Sequence, residues 1–299
     1  MRSRLILVHA RSPLHAGTGR ALGAIDLPIA RERPTGIPLL PGSSIKGALR
    51  ARCTDGQWQR DIFGPETANS SDYSGSVQFS DVHLVLLPVR SLAGTFAWVT
   101  SPYLLQRFSR TARETGLTVP DLPDFRLGKT ACGIIGDTLK AGSKVVLEDL
   151  DFTPDGERLD SGSTRDRFVK WLAGLLFPNE AEPGTWSQFF RQRFCLVHDD
   201  IMSYLLETAV EVTARIRLDD NAKTVEKGGL WYEEALPCES ILAGLAVASK
   251  ITAFKDRSEK EPEQLLDHIS RLAEGLVQLG GKATTGHGSC AVRVVGRLS

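Results

Sequence analysis

Residues 3–50 read SRLILVHARSPLHAGTGRALGAIDLPIARERPTGIPLLPGSSIKGALR, and the fold turns on the two ends of that stretch. Residues 3–10 are β-rich and alternate, which predicts a first strand. At the far end Pro41-Gly42-Ser43-Ser44 lets Ser43 or Ser44 cap a helix running through Ile45, Ala48 and Leu49. Residues 11–42 between them follow neither period, and glycine and proline recur there (Gly17, Gly19, Gly23, Pro28, Pro34, Gly36, Pro38, Pro41, Gly42). A connection of that length is usually functional. It holds one carboxylate set between apolar neighbours, Asp26, flanked by Ile25 and Leu27.

The C-terminal end mirrors this strand–helix unit. Residues 262–279 predict a helix with proline at its start and Gly280-Gly281 at its stop, and 291–295 a closing strand. In the middle, 76–89 predicts one long or two short strands, 94–99 another, and 101–114 a helix. Residues 144–152 predict a strand, 165–177 and 199–207 helices, with a Pro/Gly-rich break at 178–184. TAVEVTARIRL (208–218) alternates strictly, and 230–234 pairs with it across a charged turn at 219–229; 240–254 predicts a further strand. A β–α–β start and a β–α–β end give an α+β, ferredoxin-like domain with long insertions, thus one domain over 1–299. A doubly wound parallel sheet would need more regular alternation than residues 60–240 show.

Of the 299 residues 41% are hydrophobic and 24% charged, the proportions of an ordinary globular protein. The start is too short and too soon interrupted by His9 and Arg11 for a signal peptide, and no apolar run could span a bilayer, so a cytoplasmic protein without membrane contact is expected. Five scattered cysteines without a C-x-x-C pair exclude a disulfide framework and a structural zinc site. The net charge is zero, yet residues 1–60 hold ten Lys/Arg against three Asp/Glu. That suits one anionic ligand surface on a protein that also packs against protein partners.

Lys46 falls in the first turn of its helix, where the dipole disfavours a cation; an anion docked on the free N–H groups would remove the conflict. Gly47 would let such a ligand approach. The spacing is not that of a Walker A loop. A second glycine-rich element, LGGKATTGHGSC (279–290), exposes N–H groups beside Lys282 and His287. Two such loops at the edge of one sheet point to a long phosphate-bearing ligand.

Together PGSSIKGALR, the upstream LHAGTG…IDLPIARERPTGIP, the internal LWYEEALP and the terminal GGKATTGHG resemble the RAMP superfamily of CRISPR effector proteins, and most of all the backbone subunits of the Cmr (type III-B) complex. The resemblance implies a modified RRM/ferredoxin-like palm with lid or finger insertions. It implies a thumb hairpin at about 208–236, an active-site loop at 11–42 and a glycine-rich loop at 280–290. It implies assembly of copies of the chain, with other Cmr subunits, along a CRISPR guide RNA, and divalent-metal-dependent (Mg or Mn) cleavage of target single-stranded RNA wherever the thumb kinks the duplex. Asp26 matches the family's catalytic position and tentative metal ligand. His15 matches a neighbouring position, and Tyr232 with the WYEE carboxylates matches the motif after the thumb; Glu226, in the charged turn before it, joins the catalytic candidates. The RNA-binding candidates are Arg31, Arg33, Ser43, Ser44, Lys46, Arg50, Gly281, Lys282, Thr285 and His287. One departure is His198, in LVHDDIMSY, where the family has a small residue.

RNA can cut itself when a 2′-OH attacks the adjacent phosphate, given a splayed nucleotide, a proton acceptor and stabilised charge. Arg31, Arg33 or a metal can supply the last. A carboxylate in water is a feeble base at neutral pH, so Asp26 needs its apolar neighbours or a metal-bound water, whereas an imidazole such as His15 suits the task unaided. On residues alone, the turn-cap reading of Asp26 and the reading of His15 as a loop residue bonded to backbone are the favoured ones. Alternatives to a guide-bound endoribonuclease are a non-catalytic RNA-binding filament subunit, a Csm-type backbone subunit, a guide-processing endonuclease and a metabolite-binding module.

Overall fold

The computed structural model describes residues 1–18, 25–65, 73–123, 126–178, 185–219, 224–251 and 259–296. In chain order the elements are β1 (Arg2–Ala10), β2 (Leu39–Leu40), α1 (Gly42–Arg52), α2 (Gly56–Phe63), β3 (Val77–Phe79), β4 (Val82–Arg90), β5 (Phe96–Thr100), α3 (Pro102–Arg113), β6 (Ala131–Ile135), β7 (Lys140–Ala141), β8 (Lys144–Leu147) and β9 (Leu150–Glu157). There follow α4 (Thr164–Leu176), α5 (Trp186–Arg193), β10 (Phe194–Val197), α6 (Asp199–Thr208), β11 (Glu211–Leu218), β12 (Val225–Ala235), β13 (Ile241–Ala248), α7 (Pro262–Leu272), β14 (Leu276–Gln278) and β15 (Ser289–Val295).

The ferredoxin-like centre is visible in the neighbour order β15-β1-β13-β4, all antiparallel, with α1 following β1 and α7 following β13. The sheet continues as β5-β10-β6-β9-β8-β7 on one side and β14 on the other, so the insertion between β4 and β13 extends the palm. Among the described residues, β11 and β12 alone leave it, as a separate antiparallel ribbon.

β1 is buried on both faces, which is why LILV reads as a continuous apolar run. Ile6, Val8 and Ala10 share one core with Ile45 and Leu49 of α1 and Leu265 and Ile269 of α7. Leu5 and Leu7 share the other with Trp98, Phe108 of α3 and Phe168 and Leu172 of α4.

The structure corrects several sequence expectations. α1 begins at Gly42, two or three residues early, with Pro41 in the cap position and no side-chain cap, so Ser43 and Ser44 lie inside the first turn. Gly42 is required by close approach, since a Cβ there would lie 2.2 Å from the Phe79 carbonyl oxygen. The helix predicted to run to 279 stops at Leu272, because Gly275 turns left-handed (φ 73°) and releases the chain into β14. The 144–152 strand is instead the start of the β8–β9 hairpin, turning at Glu148. The turn at 219–229 is shorter than expected, since β12 already begins at Val225. Gly19, Gly23, most of the 178–184 break and residues 252–254 lie outside the described residues.

Candidate nucleic-acid interface

β12 pairs with β11 along one edge only. Its other edge receives the loop after β1. The Tyr232 N–H donates to Asp26 Oδ2 (2.8 Å), and the Leu27 N–H donates to the Tyr232 carbonyl (3.1 Å). The Glu234 N–H donates to the Leu27 carbonyl (3.0 Å), while the Glu234 carbonyl accepts from His15 Nδ1 (2.7 Å). Leu14 and Leu236 exchange both backbone bonds one step further along. Asp26 and His15 thus dock at successive outward positions of one strand edge, about 7 Å apart along it at ~3.3 Å per residue. A carbonyl can only accept, so His15 carries its proton on Nδ1 and leaves the Nε2 lone pair free.

The two sites differ in access. Asp26 is exposed and its Oδ1 has no hydrogen-bond partner among the described residues; the apolar shelter expected from Ile25 and Leu27 is absent. His15 is only 7% exposed. Its Nε2 abuts Gly17, where a Cβ would stand 2.6 Å away, and its carbonyl accepts from the Gly281 N–H (2.9 Å). His15 therefore pins the first loop to the glycine-rich loop.

Where those loops meet α1 lies an open groove of about 350 Å³, lined by Ala16, Gly17, Ser44, Ala48, Gly280 and Gly281 among others. It joins three segments that sequence reading singled out separately. Ser43 and Gly47 are exposed on the same helix end, and Lys46 and Arg33 have no hydrogen-bond or ion-pair partner among the described residues. The anion at the α1 N-terminus is partly supplied by the chain itself, because the Gly42 N–H donates to Asp81 Oδ1 (2.9 Å).

Other candidates have work inside the fold. Arg50 donates to the carbonyls of Gly64 (3.1 Å) and Pro65 (3.0 Å) just after α2. Arg31 is spent on Glu234 Oε1 (2.5 Å) and the Gly36 carbonyl (3.0 Å). Lys282 donates to Glu233 Oε1 (2.6 Å), and the Thr285 hydroxyl to the Lys282 carbonyl (2.9 Å), with His287 Nδ1 beside it at 3.3 Å. Glu226 is not brought to Asp26. It sits six residues from Tyr232 toward the ribbon tip, facing Arg217 at 3.8 Å. His198 caps α6 by accepting from the Asp200 N–H (3.1 Å), which is the role that its sequence context left blank. Among the described residues no three His, Cys, Asp or Glu side chains gather to hold a metal, so a divalent ion at Asp26 would complete its shell with water or RNA oxygens.

Sequence reading quoted Glu233 and Glu234 within WYEE without separating them. Adjacent strand residues face opposite ways. Glu234 faces the first loop. Glu233 faces Lys282, the Trp231 indole N–H (2.7 Å) and Arg215 Nε (3.3 Å). Burial pushes the Glu233 carboxyl up, but the bonds from Lys282 and Trp231 outweigh it and hold the group at about 2. A second anchor sits at the far end of the loop. Arg107 grips Glu32 through both nitrogens (2.7 and 2.9 Å), and this bond is the main reason the Glu32 carboxyl is held at about 2. Two consecutive acids at the end of an apolar strand were the signal available for Glu233 and Glu234, since each needs its own cation.

The chain is similar to known proteins over nearly its full length. It is 31% identical to the CRISPR system Cmr endoribonuclease Cmr4 of Pyrococcus furiosus, covering 96% of this chain and 94% of the relative. It is 25% identical to the CRISPR system CMR subunit Cmr4 of Saccharolobus solfataricus, with the same coverage. Among solved structures it superposes on oligomeric Cmr4 from Pyrococcus furiosus with a TM-score of 0.74 at 24% identity and full coverage of both chains. It superposes on a chain of the type III-B Cmr-beta complex bound to cognate target RNA with a TM-score of 0.71 at 19% identity, covering 98% of this chain and 97% of that one. The family model that describes the RAMP superfamily matches residues 8–291, and the chain belongs to that superfamily.

Proposed function

We propose that the chain is a backbone subunit of a Cmr effector complex, an endoribonuclease that holds guide RNA and cuts the paired target RNA beside Asp26. The observation that carries this is the exposed Asp26 carboxylate, fixed through one oxygen on the outer edge of β12 with the other oxygen open to solvent. The groove between Ser44, Gly17 and Gly281 supplies a track for the sugar–phosphate chain, with Lys46, on the helix that carries Ser44 and Ala48, as a cation without a partner among the described residues.

The ribbon supports the first step. Its outward face carries Ile216, Leu218, Val225 and Leu230, each about half exposed. Apolar wedges of this kind unstack bases. A nucleotide splayed at the wedge can bring its 2′-OH into line with the next phosphate, the largest contribution orientation can make. The 2′ oxygen forms a bond to phosphorus while its proton leaves toward Asp26 Oδ1; an exposed carboxylate is a weak acceptor, and a divalent ion held there would supply the stronger base. The bond from phosphorus to the 5′ oxygen breaks, and that oxygen takes a proton from water. A 2′,3′-cyclic phosphate and a 5′-hydroxyl result. Arg33 can face the phosphoryl oxygens. His15, buried and bonded to Glu234, holds the two loops together.

Asp26→Ala tests this in the assembled complex. Guide RNA and target binding stay intact while target cleavage falls by at least about 10²-fold. Unchanged cleavage overturns the assignment and leaves the chain a non-catalytic RNA-binding subunit.

A further inference from the structure

We propose that Glu234 is the positioning residue of this site, a single side chain at the root of the ribbon that locks the Asp26 loop in its cleaving geometry; the inference rests on the reading of Asp26 given above. Glu234 is 4% exposed. Its Oε2 accepts from the Ile29 N–H (2.9 Å) and its Oε1 from Arg31 (2.5 Å), while its own N–H and carbonyl bind the Leu27 carbonyl and His15 Nδ1. One residue therefore touches the loop at positions 15, 27, 29 and 31. The two backbone bonds survive any substitution. The two side-chain bonds do not, and they hold the segment immediately downstream of Asp26.

The chemistry of this arrangement is specific. Downstream of Asp26, among the described residues, the rung at Leu27 is the one that pairs the loop to β12. Beyond that rung the Glu234 carboxylate takes the place of a further strand, accepting the Ile29 N–H that would otherwise be a buried donor without a partner. Arg31 neutralises the carboxylate, so no net charge is left beside the groove. Arg31 in turn donates to the Gly36 carbonyl, extending the lock to the turn that Glu32 and Arg107 anchor. The whole path from Leu27 to Gly36 is thereby tied to the strand that carries the wedge, and displacements near 1 Å at a reacting group cost on the order of 10²-fold in rate.

The test uses the assembled complex with guide RNA and a complementary target. Glu234→Ala is expected to lower the single-turnover cleavage rate about 10- to 100-fold while target affinity stays within about twofold. Glu234→Gln retains an acceptor for Ile29 but not the charge for Arg31, and it recovers part of the loss. Paired Arg31→Gln and Glu234→Gln recover more than either alone. Hydrogen exchange at Ile29 rises in Glu234→Ala while β11 keeps its protection. The inference is overturned if Glu234→Ala cleaves at the parental rate despite faster exchange at Ile29. It is equally overturned if cleavage and target affinity fall together with loss of protection throughout the ribbon, which marks a folding role. Asp26→Ala run in parallel separates the two readings. If it leaves cleavage unchanged, the assignment of Asp26 fails. If it abolishes cleavage while Glu234→Ala does not lower it, only the positioning role fails.

Discussion

The two ends of the β11–β12 ribbon are built on opposite principles. At the root, Glu233 and Glu234 are almost fully buried and each is paired: one to Lys282 and Arg215, the other to Arg31. At the tip, Ile216 pairs with Leu230 and Leu218 with Val225 across the two strands, and each is 46–53% exposed. A two-stranded ribbon is marginal by itself in water. This one stands because its root is stapled to two loops, while its tip is apolar and left half exposed by the described residues. Stability is concentrated where the proposed site is held, and the exposed apolar surface is kept at the tip, where the proposed wedge would meet RNA.

The contrast breaks first at Glu233. Glu233→Ala deprives Lys282 and Arg215, each about a third exposed, of their shared buried carboxylate and should cost about 2–3 kcal/mol. Thermal unfolding of the purified chain should then show a midpoint lower by roughly 3–5 °C. A fall smaller than about 2 °C would mean that the root is not held by this ion pair.

Acid sharpens the same contrast. Glu233 and Glu32 are both held at about 2 in the folded chain against an ordinary value of 4.5. A carboxyl with a depressed folded value stabilises the fold above its unfolded value, and that stabilisation is lost as pH falls through about 4.5 toward 2. For Glu233 the loss is on the order of 2–3 kcal/mol. Denaturant titrations at pH 7 and pH 3 should show Glu233→Gln less sensitive to acid than the parent chain, though less stable at pH 7. An equal loss in both would place the acid sensitivity elsewhere.

The sequence made the palm legible because β1, α1, β13, α7 and β15 carry local signals: a buried apolar run, helical periodicity, a proline start. α2, α5 and β10 escaped notice. WSQFFRQR passes directly into the strand FCLV with no punctuating glycine or proline, so nothing in the local pattern marks the switch. The end of α7 was misplaced because two glycine signals compete, at Gly275 and at Gly280-Gly281, and the nearer one wins. At the site, Asp26 and His15 could be picked out by residue type and loop context. Their docking on one strand edge could not, since it is backbone pairing across some two hundred residues and leaves no trace in composition. The same holds for Arg31 and Arg50. A free arginine and one spent on a carboxylate or on carbonyls read alike in a sequence.

The smallest effect on stability is expected at the tip, and there it carries the most information. Ile216 and Leu230 face each other across the ribbon, each 53% exposed, so replacing either with serine removes contacts that are already half solvated. Ile216→Ser or Leu230→Ser should change the stability of the isolated chain by no more than about 0.5 kcal/mol, with a midpoint shift within about 2 °C. In the complex the expectation reverses. If the apolar face is the wedge that unstacks the target, a polar tip splays the nucleotide less often, and cleavage beside Asp26 slows severalfold while guide RNA stays bound. The paired measurement is what matters. A variant that loses stability without slowing cleavage would make the tip part of the fold, and one that changes neither would leave its exposed apolar face without a function. Only an unchanged midpoint with slower cleavage supports the division between a root that holds the catalytic loop and a tip that presents the RNA to it.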